Sequence, residues 1–395
     1  MNIVYIVQRW PSVSESFILN EIVELDSRGH NVAVFAFRKE SVETKHREIQ
    51  ELDIPIGYAS TARPTATEIT TALPELLSAA GTEARNFYRA PTFALAGLRW
   101  GHDCREFIEA LPWLPDVLHC HFVEGVMIGA QYAAARLDLP CTVTAHAYDI
   151  FSPPNEFVRD RLLERFNAII TVSQYHQEWI QEKINPNTPI YVIGANIDTD
   201  KFSPQGECEG PSTLLTVGRL VEKKGHDIAL KSVQSLIENG YDIEYRIVGD
   251  GELRDEIESL VEKLGITDQV VFKGIVSDGQ LLQQYDHAGI FLQPSRVTES
   301  GNRDGIPITI KEAMAMETVP VTTDIAGISE LVTDGQSGFV VPPEDPVRIT
   351  DKIEKLLNDK KLWMQMKSKA RAHAIERASI THSCDELEYV FSSIC

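Results

Sequence analysis

Short, near-continuously apolar runs rich in β-branched residues recur along this chain, and each is followed by a stretch with helical periodicity. In the first half they read NIVYIV, HNVAVFAF, DVLHCHF, CTVTAHA, AIITVS and PIYVIG. In the second half they read TLLTVG, IEYRIVG, QVVFKG, GIFLQPS, TVPVTT and GFVVP. A strand that is apolar on both faces must be covered on both, so such runs belong to parallel sheets wrapped by helices. The expected fold class is α/β, with doubly wound parallel sheets. At 395 residues the chain exceeds what one core usually holds, and two such domains are expected. The polar, Pro- and Gly-containing stretch NIDTDKFSPQGECEGPS at 196–212 marks the break. That places domains at 1–197 and 205–378, with 346–378 helical and a final helix at 380–395 packing back on the first domain.

The net charge of −21 is spread over both halves, which leaves no basic half to grip nucleic acid. Six cysteines show no Cys-x-x-Cys spacing and are expected to be buried thiols. No apolar run approaches the roughly 18 residues of a membrane span, and the seven-residue MNIVYIV is too short for a leader, so a cytoplasmic location is expected. Fingerprints of the serine hydrolases, P-loop NTPases, zincins and dinucleotide binders are missing.

In doubly wound sheets, ligands sit beyond the carboxyl ends of the strands, so the loops after strands carry the information. The stretch SRVTESGNRDGIPITIKEAMAMETVPVTT at 295–323 places Asp304 and Glu312 with seven residues between them. Gly305 relaxes the backbone there, and Pro307 is a natural first helical residue of a helix over 307–317. The helix start, Gly305, Ile306, Pro307 and Ile308, offers N–H groups and partial positive charge to a phosphate. Glu312 lies roughly 7 Å further along the axis at about 1.5 Å per residue. Such an order suits a ligand with hydroxyls at both ends and an anion between them; ordinary polar residues around a helix start are the bland alternative. After TLLTVG, Arg219 and Lys224 precede a helix starting near Gly225 and could hold a diphosphate, or could be surface charge. Asp250-Gly251 reads as a tight turn, and Glu330 as a charge at the start of its own helix.

The first half says less. His146 and Asp149 end an apolar strand, where the histidine could donate to a phosphate or sugar oxygen, or be a satisfied core residue. In LHCHF, His119 and His121 are expected on opposite faces of a strand, so no shared metal is expected. QRWPSVSESFILNEI carries a capping box, Ser12 with Glu15, opening an amphipathic helix. Ser14, Glu15, Ser16 and Asp149 are the candidates for the acceptor side. The segment 83–107 interleaves arginines with Phe87, Tyr88, Phe93, Leu98 and Trp100. It reads as a helix with a core face, or as a weak peripheral membrane contact.

Taken together, VGRLVEKKGHD, IVGDGEL, DGIPITIKEAMAMETVPVTTD and AGISELVTDGQSGFVVPPEDP resemble the retaining, nucleotide-sugar-dependent glycosyltransferases of family 4. SESFILNEI, LHCHF, TAHAYDI and VIGANIDTDKF extend the resemblance to the exopolysaccharide and surface-glycan branch. It implies the GT-B fold, two facing Rossmann-like domains with an interdomain cleft. It implies a UDP- or GDP-linked sugar donor, a glycan or lipid-linked acceptor, and no metal or other cofactor. The family's two acids fall on Asp304, by the transferred sugar, and Glu312, on the ribose hydroxyls. Arg219 and Lys224 match the pair that neutralises the donor diphosphate, and His146 the first-domain histidine near the donor sugar. The chain departs from the pattern at Asp304, where Glu is commoner, and at Ala147, where Gly is usual. A sugar-nucleotide epimerase, a non-catalytic glycan-binding partner subunit and a hydrolase are the rival readings.

Overall fold

A computed structural model describes residues 1–12, 15–40, 47–60, 91–206 and 208–395. The chain divides into two compact units: Met1–Val172, Gln177–Ile193 and Cys384–Cys395 form the first, and Ser173–His176 with Gly194–Ser383 the second.

The first unit holds β1 (Asn2–Trp10), β2 (Asn31–Lys39), β3 (Ile56–Tyr58), β4 (Val117–His121), β5 (Cys141–Ala145), β6 (Ala168–Thr171) and β7 (Ile190–Val192), in the order β3-β2-β1-β4-β5-β6-β7. The second holds β8 (Thr213–Val217), β9 (Glu244–Val248), β10 (Val270–Gly274), β11 (Ile290–Gln293), β12 (Val319–Thr323) and β13 (Phe339–Val341), in the order β10-β9-β8-β11-β12-β13. All the pairings are parallel. Every run quoted from the sequence is a strand. β4, β5, β8 and β12 are buried at each position, which is why their sequences do not alternate. The three-residue edge strand β3 was not anticipated; its half-exposed residues carry no apolar run.

Alternation decides which residue meets which layer. Leu214 and Leu292 join the cluster with Leu230, Val261 and Ile353, while Leu215 and Phe291 join Met314, Ala370 and Ala374 on the other face. Each buried leucine or phenylalanine in these layers contributes about 1.5–3 kcal/mol.

Several local expectations change. The first helix runs Ser16–Ser27 with Glu15 at its N-cap and no side-chain cap, so Ser12 is not the N-cap that the capping box required, although its side chain still pairs with Glu15. Residues 346–378 form two helices, Pro346–Asn358 and Lys360–Arg377, divided where Asp359 accepts from the Leu362 amide. Cys104, Cys120, Cys141 and Cys384 are buried, but Cys208 is half-buried and Cys395 exposed. In the helix Pro91–Glu109, Trp100 packs on Phe37 at 5.5 Å and Phe107 on Phe35 at 5.7 Å, so these aromatics serve the core. Phe87 and Tyr88 lie outside the described residues. Among the described residues no helix is long and apolar enough to cross a membrane.

Lys311 is buried, with no acidic partner among the described residues. Its ammonium donates to Ala195 O at 2.6 Å and Asn196 Oδ1 at 2.7 Å, and burial pulls its pKa down to about 7.

Candidate active site

The strand order of the second sheet reverses between β8 and β11, the place beyond whose carboxyl ends doubly wound sheets bind their ligands. The β8 loop turns through a short 3-10 segment, Glu222–Lys224, and ends at Gly225, which has φ +67°. A Cβ at Gly225 would stand 2.0 Å from the Pro294 carbonyl, so only glycine lets this loop press against the one after β11. The close approach brings Lys223 and Lys224 to Asp304.

Asp304 is 7 % exposed. Lys223 Nζ lies 3.1 Å from its Oδ1 and Lys224 Nζ 2.8 Å from its Oδ2. Thr309 Oγ1 donates to Gln293 Oε1 at 2.9 Å, which turns the Gln293 amide so that it donates to Ser295 Oγ at 3.1 Å. Ser295 in turn donates to Asp304 Oδ2 at 3.1 Å. Burial alone would raise the Asp304 carboxyl, but the two ammonium groups outweigh it and hold the group well below the usual carboxylate range. Burial lowers the Lys224 ammonium; Asp304 opposes this, while Lys223 and Arg219 add to it. Arg219, two residues beyond β8, is exposed.

The helix after this loop is Ile308–Ala315 rather than 307–317, and Pro307 is its N-cap, not its first turn. No side chain caps it, which leaves the start to a ligand or to water. Gly305 is not among the positive-φ glycines; Gly301, with φ +82°, supplies the left-handed turn of this loop. Glu312 is 7 % exposed and accepts from the fully buried Tyr285 hydroxyl at 2.7 Å. Burial and the neighbouring Glu312 push the Tyr285 phenol well above its ordinary value.

Two further loops resolve into structural roles. A Cβ at Gly251 would meet Leu220 O at 2.6 Å, so Asp250-Gly251 is a tight turn. Glu330 does not serve its own four-residue helix, Ile328–Leu331; its carboxylate accepts from the Gln174 and Tyr175 amides at 2.8 and 2.9 Å.

In the first unit the reversal falls between β1 and β4. Residues two apart on a strand share a face, and His119 and His121 both turn toward Glu21, at 3.5 and 3.4 Å, which corrects the opposite-face expectation. Tyr5 Oη donates to Glu21 Oε1 at 2.6 Å. Burial would raise the Glu21 carboxyl, but the facing His121 and His119 rings and the Tyr5 hydroxyl leave it lowered. His119 is held down to about 3 by burial and by its neighbour His121. His146, 8 % exposed, packs against Phe122 at 4.4 Å and Phe17 at 4.7 Å.

Asp149 is fully buried. Its two oxygens accept from the His146 amide at 2.9 Å and the Val123 amide at 2.7 Å, and burial pushes its carboxyl up to about 8 against those amides. It therefore ties two strand-end loops together and presents nothing to an acceptor. Glu15 is partly exposed and 4.0 Å from Arg9, Ser16 is the first helical residue, and Ser14 lies outside the described residues.

Glu21, His119 and His121 bring three metal-ligating atoms within 4.8 Å of one another. Their donors are already spent: Thr142 and Thr144 hydroxyls lie 2.8 and 3.1 Å from the two His119 nitrogens, and His146 Nε2 lies 3.1 Å from His121 Nδ1. The cluster is a satisfied hydrogen-bond network.

Reasoning on sequence missed Lys223, Gln293, Ser295, Tyr285 and Glu21. Lys223 adjoins Lys224, and nothing in EKKG says that both reach one carboxylate. Tyr285 is 27 residues from Glu312, with no local pattern to join them.

Residues 14–201 match the family described as Glycosyltransferase Family 4, and residues 198–373 match Glycosyl transferases group 1. A protein of Escherichia coli named as a colanic acid biosynthesis glycosyltransferase, WcaL, is 27 % identical over 369 residues, covering 89 % of this chain and 90 % of that one. The amylovoran biosynthesis glycosyltransferase AmsK of Erwinia amylovora is 24 % identical over 366 residues, covering 87 % and 88 %. Among solved structures, Anabaena HepE in complex with UDP superimposes with TM-score 0.75 at 17 % identity over 100 % of both chains. Sucrose-phosphate synthase from Thermosynechococcus elongatus does so with TM-score 0.73 at 14 % identity, over 100 % of this chain and 99 % of that one.

Proposed function

The chain belongs to the family 4 glycosyltransferases of GT-B fold, and from that premise we propose that it moves a sugar, with retention, from a UDP- or GDP-linked donor to a glycan or lipid-linked acceptor of a surface polysaccharide. The grip of Lys223 and Lys224 on Asp304 at the strand-order reversal carries this reading. An ionised acid, two cations and an uncapped helix start are what a sugar diphosphate asks for, in that order. Glu312, backed by Tyr285, takes the ribose diol.

In the transfer, the bond between the anomeric carbon and the β-phosphate oxygen breaks, and its electron pair leaves with the nucleoside diphosphate. The acceptor oxygen bonds to the same carbon from the same face, and its proton passes to the departing phosphate oxygen. Lys223, Lys224, Arg219 and the helix start at Ile308 meet the growing negative charge in place of a divalent ion. Asp304 positions the lysines and faces the developing positive charge on the sugar. The relatives named for colanic acid and amylovoran biosynthesis favour an exopolysaccharide acceptor.

Calorimetry with UDP, GDP and ADP in the presence of EDTA, followed by turnover of the matching sugar nucleotides, tests this. Selective binding and transfer to an acceptor are expected. Absence of nucleotide binding by folded protein would overturn the donor assignment, and an isomerised donor as product would make the chain an epimerase.

A further inference from the structure

We infer that Arg296 and His226 are positioning residues that brace, from its two ends, the turn carrying Arg219, Lys223 and Lys224, an inference that rests on the glycosyltransferase reading. Like charges crowded on one short turn push it open. The crowding is felt: Lys223 and Arg219 both add to the lowering of the Lys224 ammonium. Asp304 answers the two lysine side chains, and the main chain beneath them needs holding of its own.

Arg296 lies just beyond β11, with its side chain 16 % exposed. Its amide donates to Lys223 O at 2.9 Å. Its guanidinium donates to Asp227 Oδ1, in the first turn of the helix His226–Glu238, and its Nε lies 2.9 Å from Glu344 Oε1, beyond β13. Two carboxylates more than match the one charge of Arg296, so it is no further ligand for a diphosphate. It joins the turn, the helix that follows and the loop after β13. Asp227 suits its end of this bond, since a carboxylate is favoured at a helix start; Lys231 Nζ lies 3.3 Å from its other oxygen.

At the near end, His226 is 3 % exposed and places Nε2 3.3 Å from the Arg219 carbonyl. A carbonyl only accepts, so Nε2 carries the proton and donates. The bond runs back from the helix start to the residue at which the turn begins. The same carbonyl takes the Val221 amide at 3.0 Å. With Gly225 pressed on Pro294, the main chain of the turn is fixed along its length. Only the side chains of Arg219, Lys223 and Lys224 are left to move toward a phosphate.

The test is calorimetry of UDP, GDP, UMP and GMP on the full chain and on Arg296→Leu, Asp227→Asn and the double variant, with affinity referred to folded protein. Each single variant is expected to weaken the diphosphate that binds about tenfold and its monophosphate less than about threefold. The double variant should bind no more weakly than Arg296→Leu alone, because the two residues act through one bond. His226→Leu should show the same selective loss, and His226→Gln, whose amide can still donate, should recover most of it. Equal losses for diphosphate and monophosphate, additive losses in the double variant, or a His226→Gln as weak as His226→Leu would overturn the role. Hydrogen exchange without nucleotide reads the brace directly. Residues 219–227 should exchange faster in Arg296→Leu than in wild type, with the rest of the second unit unchanged; unaltered exchange there would overturn the brace. A wild-type chain that binds neither UDP nor GDP ends the positioning role together with the reading it rests on, and exchange then decides the brace by itself.

Discussion

Lys224 Nζ stands 2.8 Å from Asp304 Oδ2, in a pair almost wholly out of water and completed by Lys223 on the other carboxylate oxygen. Removing one partner of such a pair strands the other's charge, a penalty of about 3–5 kcal/mol. Asp304→Asn should lower the melting temperature of the free protein, and saturating UDP should restore much of it by supplying the missing negative charge. Turnover should fall on the order of 100-fold while UDP affinity holds or rises. A parallel loss of turnover and affinity in calorimetry and kinetics would make Asp304 a binding residue.

The two lysines should not be equivalent. Lys224 makes the shorter bond and its ammonium is lowered by burial, so its charge is poorly hydrated and counts for more. Lys224→Ala is expected to weaken UDP by about 2–3 kcal/mol and Lys223→Ala by about 1 kcal/mol. Titration calorimetry on both variants at one ionic strength reads the difference, and equal losses would remove the ranking.

Glu312→Ala should cost about 2–4 kcal/mol of nucleotide affinity if the carboxylate holds the ribose diol. Tyr285→Phe, which leaves the acid in place but takes away the 2.7 Å bond that aims it, should cost about 1 kcal/mol. An unchanged Kd in folded Glu312→Ala protein would return Glu312 to an internal role.

Lys311 sets a pH dependence whose sign can be worked out. Its folded pKa is about 7, below the unfolded lysine value of about 10.4. Between those values the unfolded chain holds one more proton, so the Lys311 contribution makes stability rise with pH across that window, by at most ~1.4 kcal/mol per unit. Below pH 7 the full burial penalty is present. Urea unfolding of wild type and Lys311→Met at several pH values should show the difference between them changing with that slope; parallel curves would refute it.

Gly225→Ala places a methyl 2.0 Å from the Pro294 carbonyl at a left-handed backbone position. Loss of stability beyond about 1 kcal/mol is expected, together with weaker nucleotide binding, because the loop that carries both lysines must back away. Normal UDP affinity in the folded variant would show that the lysines do not depend on this contact.

The sheets were legible because a strand covered on both faces has little room for polar side chains, as TLLTV in β8 shows. The edge strand β3 has no such constraint, and its IGY carries no mark of its role. Asp304 and Glu312 could be picked out because the residues between them form a turn into a helix, a local pattern. Tyr285, Gln293 and Ser295 reach the same acids only through the packing of β11 and its neighbouring helices, which no spacing encodes. His119 and His121 stand two apart on a strand, so both rings lie on one face, where Glu21 meets them. Even so, the acid that joins them lies about a hundred residues away, on the first helix. Asp149 looked available because it follows a strand; its complete burial depends on the Val123 amide from another loop.

The first unit is finished by the last dozen residues of the chain. Phe391, fully buried, closes over His119 at 5.2 Å, and Arg28 reaches Asp385 at 2.7 Å and Glu388 at 3.1 Å. On the ribosome, where domains ordinarily fold as they emerge, the opening sheet must wait until all of the second unit has been translated before its histidine cluster is sealed. The helix that covers the histidine cluster thus reaches it only after the chain has passed through the whole second unit, so the sheet whose strands emerge first has its core closed last.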